Sequence, residues 1–463
     1  MGLFSFKLTS NRLFTINVEI LINSELREYP AEIHIIDSEV EIVVYETAKT
    51  GLLNEFANWI FSKRDYRLFK DHVKLTLNGD NPVLKKIDYS RSEILGMTTG
   101  FNLGTQRSHA VSIKLSEIAV HLSQEDEDLE NSKIYLNNQG FELVKDFYSP
   151  LNKLVNDNLV YNRRVNQDSF YNLGQSRFRP EFEFNYTDSI HESITEINKV
   201  PIITFHHKND LDEIELTNYL NIACKATSFY LGINVDYDYA CINLKGKQIF
   251  IFKTPSPHIV KRISSLNHLL SVRGTDGFLN LNWAQGYLKN RKKLDKMISS
   301  FIQARNLDHN SKFLVLYNIL EIASAGIKRN SEEFNLIVSV REKTRIYKNA
   351  FQLLKETIVQ DEHKMFRNKW EYVQKKLVYK PMKNNMRQFL IESDLPVEKF
   401  PVEVNDLLEM RNKITHGSVS SINSQKLIKA NQLLYTISSL LILNLLEIKD
   451  WKFPESLLKQ NGV

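Results

Sequence analysis

The residues of this chain best suited to do chemistry lie together in Glu409-Met410-Arg411-Asn412-Lys413-Ile414-Thr415-His416-Gly417. Arginine offers a planar fork of donors that matches a phosphate. Histidine takes and gives protons near neutral pH. On an α-helix Asn412 and His416, four apart, share a face, and Arg411 is offset by about a third of a turn, a gap its long side chain spans. His416 falls in the last turn before Gly417, where the helix end favours a positive charge. These are the side chains needed to cut RNA without a metal.

The spacing Arg411-Asn412-x-x-x-His416 resembles the signature of the HEPN superfamily (higher eukaryotes and prokaryotes nucleotide-binding), whose active members are ribonucleases. The resemblance implies a homodimer in which two such helices face each other, each supplying one Arg and one His to a composite site. It implies internal transesterification, with Arg411 and His416 catalytic, Asn412 holding the phosphate or the His tautomer, and no cofactor. A β-rich N-terminal region followed by a C-terminal HEPN bundle is similar to the ApeA-type proteins of bacterial antiviral defence, in which the ribonuclease is restrained until infection is sensed. On that likeness the partners are RNA, a second copy of the chain, and a phage-derived or host trigger at the N-terminal region. The alternative is a HEPN module that binds RNA or protein without cutting.

Several elements must hold this segment. Asn405 reads as the N-cap of the motif helix, with Asp406 and Glu409 in its first turns, and Gly417 suits the position just past its end. Phe313, Leu316, Tyr317 and Leu320 form the stripe of a packed helix bracketed by Ser311 and Glu321. Glu321 either orients Arg411 or His416 from that neighbouring helix or faces solvent. A stretch without Pro or Gly from Glu332 to Val378 predicts one long helix, ended by Pro381. Asn423 to Ile448 predicts a last helix with Leu427, Ala430, Leu434, Ile437, Leu441 and Ile448 on one seam. From Gln285 to Arg305 the chain reads as a basic amphipathic helix whose Lys289, Arg291, Lys292, Lys293 and Lys296 are candidates for RNA binding. Residues 285–463 are therefore expected to form a four- to six-helix bundle.

Upstream the pattern changes to period two. Phe14, Ile16, Val18 and Ile20 alternate with polar residues, and β-branched stretches follow at Ile33 to Ile36, Ile42 to Tyr45, Val73 to Leu77 and Val111 to Val120. Asn78-Gly79-Asp80 reads as a turn, and the acidic run Glu125-Asp126-Glu127-Asp128 as a solvated loop. Residues 1–122 thus read as an antiparallel β domain. Residues 135–284 read as mixed α+β, either continuous with the first domain or apart from it, with strands near Phe182 and Gln248 to Phe252 and a helix over 210–229. The fold class is α+β, β-rich first and all-α last.

Composition agrees with a folded chain: 463 residues, 42% hydrophobic and 25% charged. Charge is uneven, since 30 of the 60 Lys and Arg but only 19 of the 55 Asp and Glu lie beyond residue 284. A basic domain joined to an acidic one points to a polyanion at the basic part. The two cysteines, Cys224 and Cys241, form neither a disulfide framework nor a zinc knuckle. With no signal-peptide pattern at Met1 to Lys7, and with polar residues breaking the apolar run Leu433 to Ile448, a cytoplasmic protein away from membranes is expected. Other motifs are weaker. Asp236 and Asp238 lack the upstream Gly-Ser of a nucleotidyltransferase and read as solvent-facing carboxylates on a strand; His206-His207 and His363 lack metal-ligand spacing; Gly246-Lys247 reads as a turn.

Overall fold

The computed structural model describes residues 12–22, 25–36, 39–46, 52–63, 72–77, 84–102, 108–123, 131–145, 147–155, 158–163, 170–189, 194–207, 211–244, 246–255, 266–272, 274–325, 339–377 and 382–458. The Asn78-Gly79-Asp80 turn and the acidic run at 125–128 lie outside them. The chain divides into two compact units, residues 1–291 with 446–448, and residues 292–445 with 449–463.

In the first unit, β1 (Arg12–Ile22), β2 (Glu25–Ile36), β3 (Glu39–Glu46), β4 (Val73–Leu77), β6 (Ile94–Asn102) and β7 (Ser108–Leu115) form a six-stranded antiparallel sheet in the order β4-β1-β2-β3-β7-β6. The alternation read in the sequence is the alternation seen. Ile16, Val18, Ile20, Ile33, Ile42 and Val44 are fully buried on one face. That face shares a core with Leu53, Phe56, Ala57 and Ile60 of helix α1 (Leu52–Lys63), which the period-two reading of this region did not anticipate.

A second, eight-stranded sheet runs β12-β13-β14-β9-β15-β16-β8-β5. It comprises β5 (Leu84–Asp88), β8 (Glu117–Ser123), β9 (Asn131–Leu136), β12 (Tyr171–Leu173), β13 (Ser176–Ser189), β14 (Ile194–His207), β15 (Tyr237–Leu244) and β16 (Lys247–Lys253). Two of its strands, β5 and β8, come from the first 123 residues, so the chain enters and leaves this sheet within the stretch read as one domain. The crossings from β5 to β6 and from β7 to β8 meet at one corner. The Ser116 amide donates to the Glu93 carbonyl at 2.8 Å, and the Glu93 amide donates to Ser116 Oγ at 2.7 Å. Such corners let two twisted sheets face each other across a common core. Ile118, Val120, Tyr239, Phe250 and Phe252 contribute to it from the second sheet. A two-stranded pair, β10 (Tyr148–Val155) and β11 (Asn158–Arg163), and helix α2 (Gly140–Lys145) complete the strand-bearing region.

The helix expected near 210–229 is α3 (Glu213–Leu231), opened by Asp212, whose side chain accepts from the Glu215 amide at 2.6 Å, and closed by Gly232 in the left-handed region. Helix α4 (Gly274–Leu279) follows. An aromatic cluster of Phe178, Tyr230, Phe278 and Trp283 anchors the start of α5 (Trp283–Gln303), which carries the chain into the second unit with a break in helical geometry at Asn290.

The second unit is helical: α6 (His309–Ser324), α7 (Val340–Lys355), α8 (His363–Leu377), α9 (Met382–Glu392), α10 (Val404–Thr415) and α11 (Ser424–Leu445). Three expectations need correction. Helix α6 is capped by Asp308, which accepts from the Asn310 and Ser311 amides, so Ser311 lies inside the helix. The long helix expected over 332–378 is two helices. After Lys355 the β-branched run Thr357-Ile358-Val359 favours an extended exit, and the reversal lets Phe351 stack on Phe366 at 5.5 Å and approach Trp370 at 6.2 Å, contacts a straight helix could not make. The part of that stretch before Ser339 lies outside the described residues. Finally, α10 starts at Val404 with Glu403 at the cap position and no side-chain cap bond, because burial of Val404 with Leu407 and Met410 extends the helix past Asn405. The last helix is capped by Asn423, whose side chain accepts from the Gln425 and Lys426 amides. Its Ser438 hydroxyl donates to the Leu316 carbonyl of α6. Among the described residues no helix is long and apolar enough to cross a membrane.

Candidate active site

The motif occupies the last turn of α10 and the residues just beyond it. Val404, Leu407 and Met410 bury one stripe of this helix, which turns Asn412 and His416 outward, where both are exposed. His416 is the C-cap residue, and its amide donates to the Asn412 carbonyl at 3.0 Å. Gly417 follows at φ +77°, the left-handed conformation that glycine adopts without steric cost. The Ser418 amide donates to the Lys413 carbonyl at 2.8 Å and the Gly417 amide to the Ile414 carbonyl at 3.2 Å, the paired bonds of a Schellman motif. The helix end is therefore fixed by backbone geometry, and His416 with it.

Arg411 is directed by two acceptors. One guanidinium nitrogen lies 3.6 Å from Glu321 Oε1 on α6, and another donates to Asn412 Oδ1 at 3.4 Å. Of the two settings open to Glu321 in the sequence, the structure has it facing Arg411. The side chains of Arg411 and Glu321 are 37% and 38% exposed, so the pair is solvated and worth at most about 1 kcal/mol to stability. Tyr317, one turn before Glu321 on the same helix, is buried, and its place in the apolar stripe is all that the sequence pattern shows of it. Burial and then the Glu321 charge hold its phenol pKa above the ordinary value, while Arg411 opposes them. The Thr415 hydroxyl donates to the Arg411 carbonyl at 2.8 Å and tightens the last turn. Lys413, exposed on that turn, and Lys426, which bridges α10 and α11 through Asp406 at 3.0 Å, add positive charge that the sequence reading passed over. Their only signal was proximity to the motif and to the following helix.

The basic cluster on α5 is less uniform than its sequence suggests. Lys289 pairs with Glu447 at 2.8 Å, and Arg291 donates to Asn218 at 2.6 Å. Lys293 donates to the Ala325 carbonyl at 2.6 Å, just past the end of α6, where a cation is favoured. Lys292 and Lys296 are exposed, one helical turn apart. Three of the five candidates thus have structural partners, though Lys289 stays 70% exposed beside its own, and Lys292 and Lys296 face water.

No family model, curated protein or solved structure matches this chain. The remaining motifs have structural roles. Asp236 lies 3.2 Å from Lys253 Nζ, which sits over the Tyr237 ring, and Asp238 is half-buried rather than solvent-facing. Burial, reinforced by Asp236, pushes the Asp238 carboxyl up to about 6. His207 is buried and bonded to Ser132 Oγ at 2.9 Å. The His363 ring bonds the Ile358 carbonyl at 2.9 Å across the α7–α8 turn, and Gly246 forms its turn at φ +70°.

Proposed function

We propose that this protein is a metal-independent endoribonuclease of the HEPN kind, acting in bacterial antiviral defence by abortive infection. The observation that carries this reading is the exposed end of α10, where Arg411, Asn412 and His416 lie within about one and a half turns, fixed by the Gly417 cap and flanked by Glu321. In the proposed reaction a ribose 2′-OH loses its proton to one His416 and attacks the adjacent phosphorus. Arg411 stabilises the charge on the five-coordinate phosphorane. The His416 of a second copy gives a proton to the departing 5′-oxygen, so the chain breaks into a 2′,3′-cyclic phosphate and a 5′-hydroxyl. Asn412 holds a phosphate oxygen or the ring tautomer. The acidic N-terminal region acts as sensor or restraint and answers a phage-derived or host trigger.

A second reading, a non-catalytic RNA- or protein-binding module, has one observation on its side: Arg411 already has Glu321 and Asn412 as partners. Incubating RNA with the purified full chain and with its Arg411→Ala and His416→Ala variants in EDTA separates the two. Cleavage by the parent lost in both variants supports the enzyme. RNA retained intact but bound by all three supports the module.

A further inference from the structure

Helix α1 places Glu55 and Trp59 four residues apart on one face, with Phe56 beside them. His72 stands edge-on to Trp59 with ring centroids 5.3 Å apart, and Phe56 lies 6.0 Å from Trp59 and 6.2 Å from His72. These rings, with Glu55 and with Leu21 and Ile22 at the end of β1, line a half-open cavity of about 400 Å³. That is the size of a small-molecule site. The Trp59 side of the cavity is open, the indole residue being 38% exposed, although tryptophan is ordinarily well buried. Glu55 is exposed on the rim and has no ion-pair partner among the described residues.

Trp59, Phe56 and His72 line the cavity, and aromatic rings attract a cation, most strongly once its water is removed. Among the described residues Glu55 is the one charged group that lines the cavity, and it sets the sign: it repels an anion, and a neutral apolar guest would leave it unused. We propose that this cavity binds a small alkylated ammonium ion, its methyl groups against Trp59, Phe56 and His72 and its charge balanced by Glu55. The site lies in the first unit, apart from the motif on α10, so the proposal stands independently of the ribonuclease reading. A free quaternary amine and a methylated lysine side chain share this chemistry.

The test is calorimetric titration of the full chain at pH 8 with three probes: choline, its neutral isostere 3,3-dimethylbutan-1-ol, and a short peptide carrying trimethyllysine. A cationic probe should bind saturably and roughly tenfold more tightly than the neutral isostere. Glu55→Gln should weaken binding several-fold, Trp59→Ala should abolish it, and Trp59→Phe should keep part of it. Tighter binding of the peptide than of choline assigns the ligand to a protein side chain, and the reverse order to a free amine. Glu55 is exposed, so Glu55→Gln tests the charge without disturbing the fold, and Trp59→Phe retains a ring if Trp59→Ala does not fold. Equal binding of the isostere, no saturable binding of either cation, or full binding by Glu55→Gln overturns the proposal.

Discussion

Arg411 and His416 are held in different ways, and their substitutions should separate accordingly. Arg411 depends on side chains, Glu321 and Asn412, whereas His416 is positioned by the backbone of the helix end. Neither contributes to the apolar stripe. Arg411→Ala and His416→Ala are each expected to cost less than about 1 kcal/mol of stability, while RNA cleavage falls by about a hundredfold or more. Thermal unfolding measured beside the cleavage rate checks both halves of that statement. Asp238 gives a second test at this scale. Its folded-state pKa, about 6, lies above the ordinary 3.8, so its favourable contribution is full below 3.8 and is lost as pH rises through 6. Asp238→Asn should therefore raise the melting temperature at pH 7 to 8 and leave it unchanged near pH 3.5. A rise of equal size at both pH values would mean that folding does not raise the carboxyl's pKa. The chemistry-bearing set at Arg411 to His416 was legible in the sequence because it is local, spanning about one and a half helical turns. The setting of Glu321, left open between Arg411, His416 and solvent, and the burial of Asp238 were not, because each is decided by residues distant in the chain: Arg411 on α10 and the elements packed against β15.

At the scale of elements, the cap of α10 connects the fold to the proposed chemistry. A Cβ on Gly417 would meet nothing within 4 Å, so Gly417→Ala acts through backbone conformation alone. It should cost about 1 kcal/mol and lower cleavage by loosening His416, and Gly417→Asn, which tolerates the left-handed region better, should recover part of both. Cleavage unchanged in Gly417→Ala, with the stability loss present, would detach the cap from activity. Strands were easy to read from Ile16, Val18 and Ile20 because one face of each is buried and the alternation repeats. Helix ends were harder. Asn405 has the chemistry of a cap, but burial of Val404 moved the start of α10, and the turn between α7 and α8 carries neither Gly nor Pro. There the pairing of Phe351 with Phe366 and Trp370 decides the reversal, and no local pattern announces it.

For the whole molecule, the division at 291/292 falls within α5, whose Trp283 is buried among Phe178 and Phe278. A fragment beginning near residue 284 would lose that anchor, so assembly and RNA binding belong on the full chain. Light scattering should give about twice the 54.0 kDa chain mass, as the composite site requires; a strict monomer with full cleavage would remove the second histidine from the mechanism. RNA affinity should fall steeply with salt, and Lys292→Glu with Lys296→Glu should flatten that slope. No change would reduce these two lysines to solubilising charge. The uneven charge was visible in composition, but which of these residues have partners was not, because Lys289, Arg291 and Lys293 meet Glu447, Asn218 and the end of α6, all distant in the chain. The measurement that bears most directly on the central claim is the chemistry of the ends left on RNA cut by the full-length protein in EDTA. The proposed mechanism predicts 2′,3′-cyclic phosphate and 5′-hydroxyl termini, absent with His416→Ala. Cleavage that leaves 3′-hydroxyl ends, or the same cyclic ends from His416→Ala, would contradict it.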